Sequence, residues 1–128
     1  FTMADTMARR GLQMGALPSL QTTLQVMEQQ RELARKAVRY GDVDIQRKDW
    51  ASARKQYEQA SLIWPEWEAP YLRLGELLVK RHEPEAAYRQ YEQAVKINSG
   101  MLSSKAFAKK YDKLAEKSGA RTGPNKNP

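Results

Sequence analysis

The chain repeats itself. Slid along itself until Gln56 meets Gln90, the run Gln56-Tyr57-Glu58-Gln59-Ala60 falls on Gln90-Tyr91-Glu92-Gln93-Ala94, and Arg39, Gly41, Arg47, Ala53 and Ile63 fall on Arg73, Gly75, Arg81, Ala87 and Ile97. Ten identities in one period, with no gap, mean that one structural unit occurs twice and buries the same positions each time. The repeated small and aromatic residues stand three, four and seven apart, which is the spacing of one helical face. Ala53, Ala60, Ala87 and Ala94 leave room for a neighbouring helix, and Tyr57 and Tyr91 fill the space between. Gly41 and Gly75 lie inside helical patterns, where Gly costs about 1 kcal/mol relative to Ala. Gly at both equivalent sites therefore predicts close approach of another helix there.

Local signals divide the chain into helices. The first repeat opens with a helix from the thirties to about Lys48. Asp49 is a candidate N-cap for a second helix over 50–63. Trp64-Pro65 ends that helix, because a residue before Pro is driven out of the α region. A third helix is expected over about 68–81, with Pro70 tolerated in its first turn, and a fourth over 84–97, opened by Pro84. Asn98-Ser99-Gly100 is a stop and turn, and a last helix is expected over about 101–118, ending at Gly119. That helix has an apolar stripe (Phe107, Tyr111, Leu114, with Ala108 and Ala115) and a basic side (Lys105, Lys109, Lys113, Lys117), as a terminal capping helix requires. Upstream, Leu20, Leu24, Met27 and Leu33 form a further helical pattern, out of register with the repeat. It is expected to pack as a cap or to run on into the first repeat as one long helix. The expected organisation is a flexible segment 1–17, a helical domain 18–118 and a disordered basic tail 119–128. Residues 1–17 have no sustained period, and the run after Arg9-Arg10 is too short and polar for a signal peptide. The three Trp residues cluster at the ends of the second helix. Trp50 is expected to pack at its start, and Trp64 and Trp67 to staple the inter-repeat loop to the core.

The pattern resembles the tetratricopeptide repeat, over residues 34–67 and 68–101. The second copy supplies Tyr71, Leu74, Gly75, Leu78, Ala87, Tyr91 and Ala94, with Ser99 where the family usually has Pro. The first supplies Ala37, Tyr40, Gly41, Asp44, Ala53, Tyr57, Ala60 and Pro65, departing from the family at Ala37 and Asp44. The resemblance implies an all-α fold, a right-handed superhelix of antiparallel helix pairs. In that family the first helix of each pair lines a concave groove that holds an extended peptide or a helix. Carried onto this chain, the groove is Arg35, Val38, Arg39, Asp42, Ile45 and Gln46, then Ala69, Leu72, Arg73, Glu76, Val79 and Lys80. The last helix adds Ser103, Ala106, Phe107, Lys110 and Lys113. The groove would have an apolar floor of Val38, Ile45, Leu72, Val79 and Phe107. Arg39 and Arg73 would stand one above the other, each able to pair with the acid three residues on, Asp42 or Glu76. At the positions of the family's chaperone-tail clamp stand Val38, Asp42, Arg73, Ser103 and Phe107. None matches, which argues against an Hsp70 or Hsp90 C-terminal carboxylate as ligand.

Charge is unevenly placed. The net charge is +7, and residues 1–33 contribute zero, 34–95 contribute +1 and 96–128 contribute +6. Such an end can attract nucleic acid or another anionic surface, or be a solvated helix and tail. No exposed aromatic interleaves the lysines, which weakens an RNA-binding reading. With no Cys and a single His, His82, the chain holds no disulfide, thiolate site or multi-histidine metal site. P-loop, H-E-x-x-H, EF-hand and G-x-S-x-G patterns are missing, and no apolar run is long enough to cross a bilayer. No catalytic residue, metal or cofactor is expected. The expected function is a non-catalytic protein–protein interaction module, an adaptor, assembly or scaffold factor that captures a peptide or helix. Two alternatives stand beside it: nucleic-acid or anionic-surface binding by the basic end, and self-association, because two repeats are fewer than the usual three. The compartment is left open, with the cytoplasm the default.

Overall fold

The structure is a computed structural model that describes residues 16–119. Apart from residues 16, 17 and 119, the expected N-terminal segment and basic tail lie outside the described residues. Among the described residues five α-helices follow one another: α1 (Ala16–Gln46), α2 (Trp50–Ile63), α3 (Ala69–Lys80), α4 (Pro84–Ile97) and α5 (Lys105–Ser118), with a 3-10 turn at Ser99–Ser103 before α5. There is no strand among the described residues. The fold is all-α. The chain divides into two compact units after Leu33.

The helix boundaries have local causes. Asp49 accepts a hydrogen bond from the Ser52 N–H at 3.3 Å and caps α2. Trp64, before Pro65, lies outside the α region (φ −135°, ψ 81°) and ends it. Pro70 and Pro84 stand at the starts of α3 and α4, where the missing N–H costs nothing. Gly119 ends α5 at φ 81°. The last helix begins at Lys105 rather than near residue 101. The 3-10 turn takes up Ser99–Ser103, and Ser104, with extended backbone, accepts from the Phe107 N–H at 3.3 Å and sets a new start.

The turns inside the two helix pairs are built alike. Lys48 (φ 59°) and His82 (φ 62°) are both left-handed, and they occupy the same place in the two copies. At each turn the next residue closes a six-residue loop: Asp49 N–H to Asp44 C=O and Glu83 N–H to Leu78 C=O, both 2.9 Å. A side chain in this conformation costs about 1–2 kcal/mol, partly offset by the entropy glycine loses. Lys48→Gly and His82→Gly are each expected to stabilise the fold by about 0.5–1 kcal/mol, read as a shifted urea midpoint with unchanged slope.

In the second unit the core has two clusters. The first joins Ala34, Ala37 and Val38 of α1 to Ala53, Tyr57 and Ala60 of α2 and Leu74 and Leu77 of α3. The second joins Leu78 of α3 to Ala87 and Tyr91 of α4 and Leu114 of α5, with Leu72, Phe107 and Tyr111 packed against it. Burial follows the sequence period: Ala53 and Ala87 are 0% exposed, Tyr57 and Tyr91 1%, Ala60 and Ala94 0%. A Cβ added at Gly41 would lie 2.5–2.9 Å from the Tyr57 ring, and one at Gly75 would lie 3.0–3.1 Å from the Tyr91 ring. The close approach expected at the paired glycines is therefore made by these tyrosines. Tyr40, by contrast, is 54% exposed, and Pro65 is exposed too. On a helix that turns about 100° per residue, Gly41 takes the buried position and Tyr40 is turned off it. Tyr71 is half-buried, with its hydroxyl toward the Pro65 carbonyl at 3.5 Å.

Candidate functional site

The polar centre of the second unit rises from the first cluster. Tyr57 is buried, and its hydroxyl donates to Asp42 Oδ1 at 2.5 Å. Arg73 Nε donates to the same oxygen at 3.0 Å. One carboxylate of α1 thus gathers a phenol from α2 and a guanidinium from α3. Burial pushes the Tyr57 phenol well above its usual range, and the hydrogen bond to Asp42 and the nearby negative charges add to this. Burial alone would lower Arg73, but the hydrogen bond and charge of Asp42, with Glu76, raise it on balance. Asp42 and Arg73 are well exposed, at 41% and 38%. An ion pair so accessible to water contributes no more than about 1 kcal/mol. Its effect is to fix the approach of α3 to α1.

Around this centre lies a cavity of about 320 Å³, lined by Asp42, Ile45, Gln46, Tyr57, Arg73, Glu76, Leu77 and Lys80. It offers carboxylates, a guanidinium and an ammonium over a patch of Ile45 and Leu77. Among the described residues no group of three or more His, Asp or Glu is arranged to hold a metal ion, and no helix is long and apolar enough to cross a membrane.

Six groove residues expected from the sequence, Asp42, Ile45, Gln46, Arg73, Glu76 and Lys80, share this cavity. The others are elsewhere. Val38 is 5% exposed and belongs to the core, so it is no floor for a ligand. Leu72 and Phe107 pack against the second cluster, and Phe107 meets the Tyr91 ring edge-on at 5.5 Å. Val79 is 40% exposed. Arg35 stands over the Trp64 ring at 5.6 Å. Arg39 and Lys110 are exposed and do not line the cavity. The pairing expected for Arg73 is also different: it reaches Asp42 on α1, and not Glu76 on its own helix. The guanidinium crosses to α1, where it shares the Asp42 oxygen with the Tyr57 hydroxyl.

Sequence reasoning missed Tyr57 and Leu77 as cavity walls. The signal for Tyr57 was its hydroxyl, since a purely packing role at a buried site is open to Phe. The tryptophans lie as expected. Trp64 and Trp67 stack at 5.0 Å and pack against the first cluster. Trp50 packs against the same cluster, with Arg81 over its ring at 5.5 Å. On α5, Leu114 and Ala115 are buried, Phe107 and Tyr111 are half-buried, and Lys105, Lys109, Lys113 and Lys117 are exposed or nearly so. Compared with known proteins, the chain matches no family model, no curated protein and no solved structure.

Proposed function

We propose that this chain is a non-catalytic interaction module of tetratricopeptide-like repeats, two helix pairs wound as a short solenoid and closed by α5. It binds a peptide or helix of a protein partner at the cavity between α1 and α3. The observation that carries this reading is the meeting of Asp42, Ile45, Arg73, Glu76 and Lys80 around one cavity. These residues come from equivalent stretches of the two copies, Asp42 and Glu76 being exactly one repeat apart. A charged rim over a small apolar patch gives orientation and specificity to a bound side chain.

The test is capture of partners from native lysate by the intact chain and by a Glu76→Arg/Lys80→Glu variant. Both side chains are exposed, so the fold should persist, and circular dichroism checks that it does. A partner bound at this cavity is expected to be lost at least tenfold, since reversing charges at an interface costs on the order of 1.4 kcal/mol or more. Undiminished capture by the folded variant would remove the cavity from consideration.

One observation favours a second reading. The lysines of α5 recur every four residues along its wet side, and they fit an anionic surface. Capture lost with nuclease and in a Lys109→Glu/Lys113→Glu variant, but kept in the cavity variant, would move the function there, with a steep dependence on salt.

A further inference from the structure

Two tyrosines meet where α5 packs on α4. The rings of Tyr88 and Tyr111 stack with centroids 5.2 Å apart and planes 18° from parallel. The Tyr111 hydroxyl points to the Tyr88 hydroxyl, and their oxygens are closer than the centroids, at 3.5 Å. The rings therefore converge toward their hydroxyl ends. The ring carbons beside the two hydroxyls lie in the narrow part of the gap. Phe107 stacks on Tyr111 at 5.9 Å, and both tyrosines are half-buried, so packing holds the pair while each keeps some contact with water. The repeat does not require an aromatic at position 88. One period earlier stands Arg54, an exposed side chain.

No other tyrosines of the chain are so placed. Tyr57 and Tyr91 are 1% exposed. Neither they nor Tyr40 nor Tyr71 has a tyrosine ring against it among the described residues. Cysteine, whose thiolate would intercept an oxidant, is absent. One-electron oxidation of this protein therefore falls on its aromatic rings. A phenol that gives up an electron loses its proton to water and becomes a phenoxyl radical. Its unpaired spin is shared between the oxygen and the ring carbons beside and opposite it.

We propose that Tyr88 and Tyr111 are an oxidative cross-linking site, at which a one-electron oxidant, a haem peroxidase supplied with hydrogen peroxide, joins the two rings as dityrosine and fastens α5 to α4. Each phenol gives up one electron and one proton. One carbon–carbon bond then forms between the ring carbons beside the two hydroxyls. The hydrogen on each of those carbons moves to the neighbouring oxygen and restores the hydroxyl. Two electrons and two protons leave in all, and one hydrogen peroxide takes them up as two waters. The bond closes a covalent loop over residues 88–111, which restricts the unfolded chain more than the folded one.

Treatment of the full chain with peroxidase and hydrogen peroxide tests this. Peptide mapping by mass spectrometry is expected to find residues 88 and 111 joined within one molecule, with two hydrogens lost and dityrosine fluorescence gained. Radicals held side by side couple at an effective concentration on the order of 1 mM or more, so at about 10 µM protein the internal link should exceed covalent dimers by roughly tenfold or more. Tyr88→Phe and Tyr111→Phe keep both rings, and circular dichroism checks that they keep the fold. Each should abolish the internal link. Tyr40→Phe removes the phenol that is 54% exposed, and should reduce covalent dimers while leaving the link intact. The linked chain should unfold at a higher urea concentration than the untreated chain, a rise that Tyr111→Phe does not show after the same treatment. An internal link that persists in either Phe variant would overturn the proposal. So would dityrosine that maps to other tyrosines or occurs only in covalent dimers, no dityrosine at all, or a linked chain no harder to unfold than the untreated one.

Discussion

Tyr57→Ala is expected to cost about 3–5 kcal/mol, the range for removing a large buried ring and leaving its cavity. Gly41→Ala is expected to cost about 1–3 kcal/mol for the opposite reason: the new methyl carbon would stand 2.5–2.9 Å from the Tyr57 ring. The ring cannot retreat, because it is 1% exposed and its hydroxyl is held by Asp42. Together the two changes should be less than additive. With the ring gone, the three closest contacts to alanine at position 41 are gone with it, and the substitution gains the roughly 1 kcal/mol by which Ala exceeds Gly in a helix. Gly41→Ala should thus destabilise the intact chain and stabilise the Tyr57→Ala background, a change of sign that urea unfolding of the four chains would read directly. An equal penalty in both backgrounds would show that the ring is not what requires glycine. At Gly75 the Tyr91 ring is slightly farther away, 3.0–3.1 Å, so Gly75→Ala should cost less than Gly41→Ala.

Alkali is expected to unfold the protein. Tyr57 and Tyr91 both have phenols pushed above the ordinary value of 10.0, chiefly by burial. Tyr57 is further raised by its bond to Asp42, and Tyr91 by the charge of Glu76. In the folded chain both keep their protons where the unfolded chain releases them. Their contribution is therefore complete below pH 10 and declines as pH rises above it toward the folded values. Each costs about 1.4 kcal/mol per pH unit in that window, so the pair costs about 2.7 kcal/mol per unit. Against a typical stability of about 5–15 kcal/mol, one to two units suffice to bring a weak domain to its midpoint. The check is a helix signal followed through pH 12 beside the tyrosinate absorbance. Two of the six tyrosines should ionise late, together with loss of helix, and Tyr91→Phe should make the decline shallower. Ionisation of all six near pH 10 with the helices intact would contradict it.

Much of the fold was legible because its causes are local or repeated. Asp49, Pro84 and Gly119 mark helix ends through their own backbone and side chains. The tyrosines and alanines declared their burial by recurring, since a position that packs in one copy packs in the next. The start of α5 was not legible, because Asn98, Ser99, Ser103 and Ser104 are all able to cap a helix and only the chain's path selects Ser104. Val38 was misplaced because one residue of helical phase separates a groove wall from the core, and the resemblance fixed the phase only loosely. The partner of Arg73 was hidden for another reason. A guanidinium is long enough to reach either an acid on its own helix or one on a neighbour, and only the packing of α3 beside Asp42 shows which one Arg73 takes.

Phe107 stands one full period after Arg73, where the repeat would place its next arginine. It spends its side chain on Tyr91 instead, so Glu76 receives no counterpart of the Asp42–Arg73 bridge from α5. The chain is therefore directional as a modular part. A further copy of residues 34–67 spliced in after Trp67 would carry an arginine for the Asp42 before it and an aspartate for the Arg73 behind it, leaving both junctions in register. The same insert placed after residue 101 would have Phe107 next to its aspartate and no cation to fasten it. On the proposed stacking of repeats, lengthening from within keeps each bridge and lengthening at the far end does not.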